Sequence, residues 1–538
     1  MEDCPIVTAK RLDHFGLIAG ICKKIRLVEL FDELLPKTRG AVKVSHGESV
    51  YAMILNGLGF KERRLYLTSH FYKDKATDKI FWDGFDPNCL NDDVLARTLD
   101  AIHKYGATKL FSELSIRTGL ELDLYNNNLH VDTTSLSFSG RFKKQSENSP
   151  KITYGHSKDH RNDLPQLVLS LICGNNSGLP VFFNVHSGNT SDREIIPSII
   201  VQFEEFLKLI EINKDFIYIA DSALYSKRFL LDKKHTFNWL TRVPESIRAA
   251  RVILSRDKSE FEWTDLGNGY QIAPCSHRES GYSHRWMIVS SRKAHFKEIA
   301  TLEKSLKNEE TYLRKRSGQL KRRDFYSQEE AKREVESLRK NHPLFKFEYT
   351  VRKAPKKVNY RGHRKWKASY ALTISFWRNK ERVDQLTNRK GRFILATNAG
   401  IEKLPIEEAL KVYHGQSKVE GCFKFIKDRS FLLNRFYLKK TERAEALLFI
   451  MVMTLFVFNL GQHLLRKELT EKNLTLPNQL GQQKTSITFK WAFQIFQGIN
   501  HIVIQGANNL WRMISELTAE QKIILECLPE AAFFYSSA

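Results

Sequence analysis

Long hydrophobic runs are scarce in this chain. The longest, Ala446 to Phe458, covers 13 residues, whereas a bilayer-spanning helix takes about 20. It reads as a buried helix, and no membrane role is expected. Paired cysteines are also missing: Cys4, Cys22, Cys89, Cys173, Cys275, Cys422 and Cys527 stand singly, with no CxxC. That excludes a disulfide framework or a zinc knuckle and suits a reducing compartment. There is no Walker loop and no dinucleotide fingerprint, so no nucleotide cofactor is expected. Ser222 lacks the GxSxG elbow of a serine nucleophile. His156 and His160 in HSKDH lack a third ligand and read, with Lys158 and Arg161, as a basic loop. The first residues, MEDCPIVTAK, have neither the basic start nor the apolar core of a signal peptide.

Acidic residues are in deficit: 61 Asp and Glu face 85 Lys and Arg, a net charge of +24. A polyanionic partner is the natural inference. At 538 residues the chain is too long for one core, so several structural units are expected.

Residues 8–35 carry apolar positions at helical spacing up to Pro36, and helical patterns recur near 47–60 and 91–117. A helical N-terminal unit over 1–125 follows, a form that suits DNA binding. From 126 to 245 the runs LHVDTTSLSF, QLVLSLIC, LPVFFNVHSG, FIYIAD and FNWLTRV predict strands, with helices at 193–211 and 224–234. This is an α/β layer. Residues 246–388 interrupt it with strand-rich pieces near 249–291 and 344–378, flanking a charged helical hairpin at 294–341. With few apolar positions, that hairpin is expected to be solvated. Within 351–372 stand eight Lys or Arg, no acid, and Tyr360, Trp366 and Tyr370. Such a segment, including Arg361, Arg364, Lys365, Trp366 and Lys367, suits phosphate tracking and base stacking on DNA. The α/β pattern resumes over 389–465 with the strand GRFILATN and a helix from Pro405 to Lys427, and residues 466–538 form a helical C-terminal part.

Asp132 follows Leu129-His130-Val131, and Asp221 follows Phe216-Ile217-Tyr218-Ile219-Ala220. Both are expected at or near the carboxyl ends of core strands, where open α/β sheets place ligand sites. An acid there also serves simply as a cap. The third acid lies on a helix: at about 100° per residue, Tyr413, Gln416, Glu420 and Lys427 share an arc of about 60°. Carboxylates from three segments suit Mg2+, whose hard oxygen chemistry supports phosphoryl transfer by two ions about 3.5–4 Å apart. The neighbouring Tyr413 and Lys427 suit phosphate oxygens.

The ordered set VDTTS, GHSKDHR, SGNTSD, IADSALYS and YHGQSKVEGCFKFIK resembles the DDE transposases of bacterial insertion sequences. The likeness is to the branch with a Tyr-x2-Arg-x3-Glu-x6-Lys signature, and it covers residues 125–460. Tyr413, Glu420 and Lys427 match that signature, while Gln416 stands in place of Arg and loses its charge and bidentate geometry. The resemblance implies an RNase H-like core with a mostly β insertion, which accounts for the 199 residues between Asp221 and Glu420 against 89 between Asp132 and Asp221. It implies Asp132, Asp221 and Glu420 as ligands of two Mg2+, with Mn2+ able to substitute. It also implies double-stranded DNA, both element ends and target, as partner, a homodimer on that DNA, and a place in the bacterial cytoplasm near the nucleoid. Lys158, Arg161, Tyr413, Gln416 and Lys427 are then expected to contact DNA.

Overall fold

A computed structural model divides the chain into two units, Met1–Trp239 with Val412–Ala538, and Leu240–Lys411. It describes residues 6–36, 43–59, 67–139, 145, 149–175, 177–232, 236–275, 284–360, 363–428, 442–506 and 509–536, with the side chains of 358–360 and 363–365 left aside.

The first unit is built on a mixed sheet. The strand Asn128–Ser137 runs antiparallel to Gln166–Gly174 and parallel to Ile217–Ala220, and Pro180–Ser187 extends the antiparallel side. Gln166–Gly174 is buried at every position, which explains why its run QLVLSLIC is apolar at nearly every position rather than alternating. Helix Asp192–Leu209, capped by the Ser191 hydroxyl, packs on the three antiparallel strands. The 13-residue apolar run proves to be part of a 30-residue helix, Glu442–Glu471. By length and composition this helix could cross a bilayer, but 89% of its apolar window is buried inside the protein. Helices His46–Gly57, Asp92–Tyr105, Ala107–Glu121 and Phe15–Lys24 pack around it. A helix apolar on all sides needs such neighbours.

Two expectations need correction here. The stretch from residue 8 onward is not helical throughout: Ile6–Arg11 is a strand, and helices begin at Phe15 and Leu27. The C-terminal part is not all helix either, because Asn500–Gln505 and Leu510–Ile514 form a hairpin onto which Ile6–Arg11 adds antiparallel, Ile6 opposite Gln505. The strand's partners lie almost 500 residues away, and local periodicity carries no trace of such a pairing.

In the second unit, Asn238–Arg242 (whose last residues belong here), Arg392–Thr397, Arg285–Ser291, Tyr270–Cys275 and Thr264–Gly267 follow one another in antiparallel order. The piece beginning at 249 opens with a helix, Arg248–Ser255, rather than a strand. Its buried Ala250, Ile253 and Leu254 keep helical spacing. The charged hairpin comprises Arg292–Arg322 and Gln328–Asn341. It is not simply solvated. Leu306, Leu313 and Leu320, seven residues apart and so on one face, form a core with Val335, Leu338, Phe345, Phe347 and Leu372. The hairpin thereby lies on the long ribbon Phe345–Lys353/Tyr370–Arg378. Beyond that ribbon, Lys356–Tyr360 pairs with His363–Lys367.

Candidate active site

Asp132 is not at the end of its strand but at its middle, since Asn128–Ser137 continues for five residues beyond it. Thr133, Thr134 and Ser135 are nearly wholly buried, because the antiparallel partner continues to Gln166 opposite Ser137. The parallel partner is shorter. Val131 lies opposite Ala220, so the next position on each strand sets Asp132 beside Asp221, where the second strand has just ended. An Asp221 oxygen then accepts the Ala223 N–H at 2.9 Å.

Burial and neighbouring carboxylates raise the cost of ionising both. Burial pushes the Asp132 carboxyl up to about 6 from 3.8, with Asp221 and Asp192 adding to the rise and Lys158 and the Thr133 N–H opposing it. Asp221 is raised too, by burial first and by Asp192, against the Ala223 N–H and Lys158.

Asp192 is a residue the sequence reading missed. It lies in SGNTSD, where a serine followed by an acid at a helix start suits a cap, and nothing local points to a second role. One Asp192 oxygen accepts the Thr133 hydroxyl at 2.6 Å, and the other lies 3.1 Å from Lys158 Nζ. Lys158 also stands 3.6 Å from Asp132. Arg161, by contrast, pairs with Asp163 on the surface, both contacts at 2.8 Å.

The third acid sits on a helix that the sequence reading drew as one piece. It is two: Ile406–His414 and Ser417–Ile426. At the joint the chain tightens, with N–H groups bonding three residues back, Gly415 to Val412 and Gln416 to Tyr413. Gly415 explains the approach. A Cβ there would fall 2.1 Å from Asn175 Oδ1 and 2.6 Å from His130 Nε2, two atoms that face each other at 3.0 Å. The Glu420 helix packs on the Asp132 strand and on Glu442–Glu471, and buries Val419, Cys422, Phe423 and Ile426. At its far end Lys427 is held by both Asp159 oxygens at 2.7 Å, next to Lys158. Glu420 itself is exposed, Tyr413 and Gln416 half-buried. Gln416 is the residue before the second helical piece, and its side chain makes no capping bond.

Asp132 and Asp221 are thus brought together, with Asp192 and Lys158 added. Among the described residues, no group of three or more His, Cys, Asp or Glu side chains is arranged to hold a metal ion, so Glu420 does not complete such a group. The adjacent pair supplies only oxygen donors and, with Asp192, more negative charge than Lys158 balances, which suits a hard divalent cation.

Of the basic segment in the second unit, Arg361 lies outside the described residues. Arg364 and Lys365 are on the strand His363–Lys367, opposite Asn359 and Val358. Trp366 is 65% exposed, with Lys357 Nζ 5.1 Å from its ring centre. Lys367 Nζ lies 4.4 Å from the Tyr326 ring centre.

Residues 129–457 match the family described as "Transposase DDE domain", which takes in both aspartates and Glu420 and more than half of the chain. The chain belongs to the DDE transposases. Residues 7–116 of this transposase match a domain of unknown function (DUF4277). No curated protein matches it. Among solved structures, a cryo-EM structure of a piggyBac transposase synaptic complex with hairpin DNA aligns with a TM-score of 0.35 and 10% identity, over 97% of this chain and 80% of that one.

Proposed function

We propose that this transposase binds the terminal inverted repeats of a bacterial insertion sequence, cleaves a strand to free a 3′-hydroxyl, and joins that hydroxyl to target DNA. The observation that carries the reading is the parallel register setting Asp132 beside Asp221 within a DDE family match. Three antiparallel strands flanked by a parallel fourth support an RNase H-like core. On this reading Asp132 and Asp221 would hold divalent cations, Mg2+ or in its place Mn2+, and Glu420, which stands exposed outside any ready-made ligand group among the described residues, would join them as third ligand only with metal and DNA bound. Metal bound there would supply activation of an attacking oxygen and stabilisation of a leaving one.

The protein's own groups bind and orient. Tyr413, Gln416 and Lys427 hold DNA phosphates, Lys427 after leaving Asp159. Trp366, Lys367 and their neighbours, together with the helical N-terminal unit, supply the wider DNA surface, with Trp366 free to stack on a base. Two DNA ends call for at least a homodimer. The chain would work in the bacterial cytoplasm, near the nucleoid, without a nucleotide cofactor.

The full chain with Mg2+ and linear DNA bearing the element ends is expected to give cleaved and joined products. Asp132→Ala and Asp221→Ala should abolish both while leaving DNA binding within about threefold, as expected where an interaction acts on the reaction and not on binding. Absence of cleavage by the wild type sinks the enzyme reading; cleavage without joining leaves a nuclease. A second reading, a DNA-binding relative that no longer cuts, is favoured by exposed Glu420 and by Gln416 in place of Arg.

A further inference from the structure

Lys158 is held more closely than a surface lysine needs to be. Its backbone N–H donates to Ser135 Oγ at 2.9 Å, and its ammonium donates to both Thr133 O and Thr133 Oγ1 at 2.7 Å. The same Thr133 hydroxyl donates onward to Asp192 at 2.6 Å. The ammonium is thereby fixed 3.1 Å from Asp192 and 3.6 Å from Asp132, on the strand that carries one of the paired aspartates. Ion pairing at the protein surface does not require this, since exposed pairs keep their side chains mobile at little loss. Three oxygen anchors and a nearby pair of carboxylates amount to a built seat for one positive charge.

We propose that Lys158 is the resident counter-ion of the Asp132–Asp221 pair and competes with divalent cation for Asp132. Thr133 and Asp192 are the anchors that keep its ammonium beside the site once it yields. Lys158 is then a positioning residue, and Asp192 acts through it. The inference rests on the assignment of Asp132 and Asp221 as metal ligands.

The test is calorimetric titration of Mn2+ into the full chain without DNA, comparing wild type, Lys158→Met, Lys158→Arg and Asp132→Asn. Removing one unit charge about 4 Å from the ligand should tighten Mn2+ binding at least about fivefold in Lys158→Met, while Lys158→Arg stays within about twofold of wild type. Mn2+ should also raise the melting temperature of Lys158→Met by more than that of wild type. If Lys158→Met fails to fold, Lys158→Gln, which keeps a donor for Thr133, carries the same expectation. Wild-type binding that is lost in Asp132→Asn but unaltered or weakened in Lys158→Met overturns this inference alone. Absence of Mn2+ binding in every variant overturns the metal assignment and the inference with it.

Discussion

Asp132 carries opposite consequences for chemistry and for stability. Its folded pKa of about 6 exceeds the ordinary 3.8, so between those values the folded chain holds a proton that the unfolded chain has released. The stabilisation from that proton is full below about pH 4 and is lost as pH rises through 6. In EDTA, Asp132→Asn is therefore expected to be more stable than wild type at pH 8, by up to about 3 kcal/mol at roughly 1.4 kcal/mol per unit. At pH 4.5 most of that advantage should be gone, and urea midpoints at the two pH values check it. An advantage of the same size at both would place its origin elsewhere than in the buried charge. At this scale Asp221 was legible because five apolar residues lead to it. Asp132 was legible as an acid on a strand, but not as its midpoint. The polar-looking Thr133-Thr134-Ser135 that follows is nearly wholly buried, and the antiparallel partner that covers it is a fact of the sheet. Asp192 was hidden by its helix start.

Elements were legible where their partners are near in sequence and obscure where a neighbour redefines them. The Glu420 helix was drawn in one piece because amphipathic spacing runs through Gly415 without interruption. What breaks it is the closeness of His130 and Asn175, which no helix pattern encodes. Gly415→Ala should displace that pair and cost about 1–3 kcal/mol, the usual range for overpacking. It should also lower cleavage by moving the Glu420 helix off the Asp132 strand. Denaturant unfolding and DNA cleavage measured on the same preparation check both, and an unperturbed variant would mean the joint has room to spare. The hairpin of the second unit misled for the reverse reason. Its charge outweighs three leucines that decide its packing, all of them at most 1% exposed. Leu313→Ala is expected to cost about 2–5 kcal/mol, as for other buried leucines. A loss below about 0.5 kcal/mol, typical of surface changes, would show that the hairpin does not depend on this core.

At the scale of the molecule, the net charge of +24 predicts how DNA affinity responds to salt. If the basic segment and the Glu420 helix meet about six or more phosphates, binding should weaken about 1,000-fold between 50 and 200 mM salt. Filter binding on a fixed duplex measures the slope, and a flat response would exclude a phosphate-led interface. The order of acids along the chain and the presence of an α/β layer could be read from the sequence, because strands and the residues just after them follow local rules. Closure of the N-terminus by a C-terminal hairpin could not, since it joins positions that share no local pattern.

That closure bears on how the chain is made. Synthesis adds about 5–20 residues per second, so Ile6–Arg11 emerges from the ribosome roughly 25–100 seconds before its partner Asn500–Gln505 exists. Through that interval its unpaired edge is open to other chains being made nearby, and a translation product stopped short of residue 500 would never cover it.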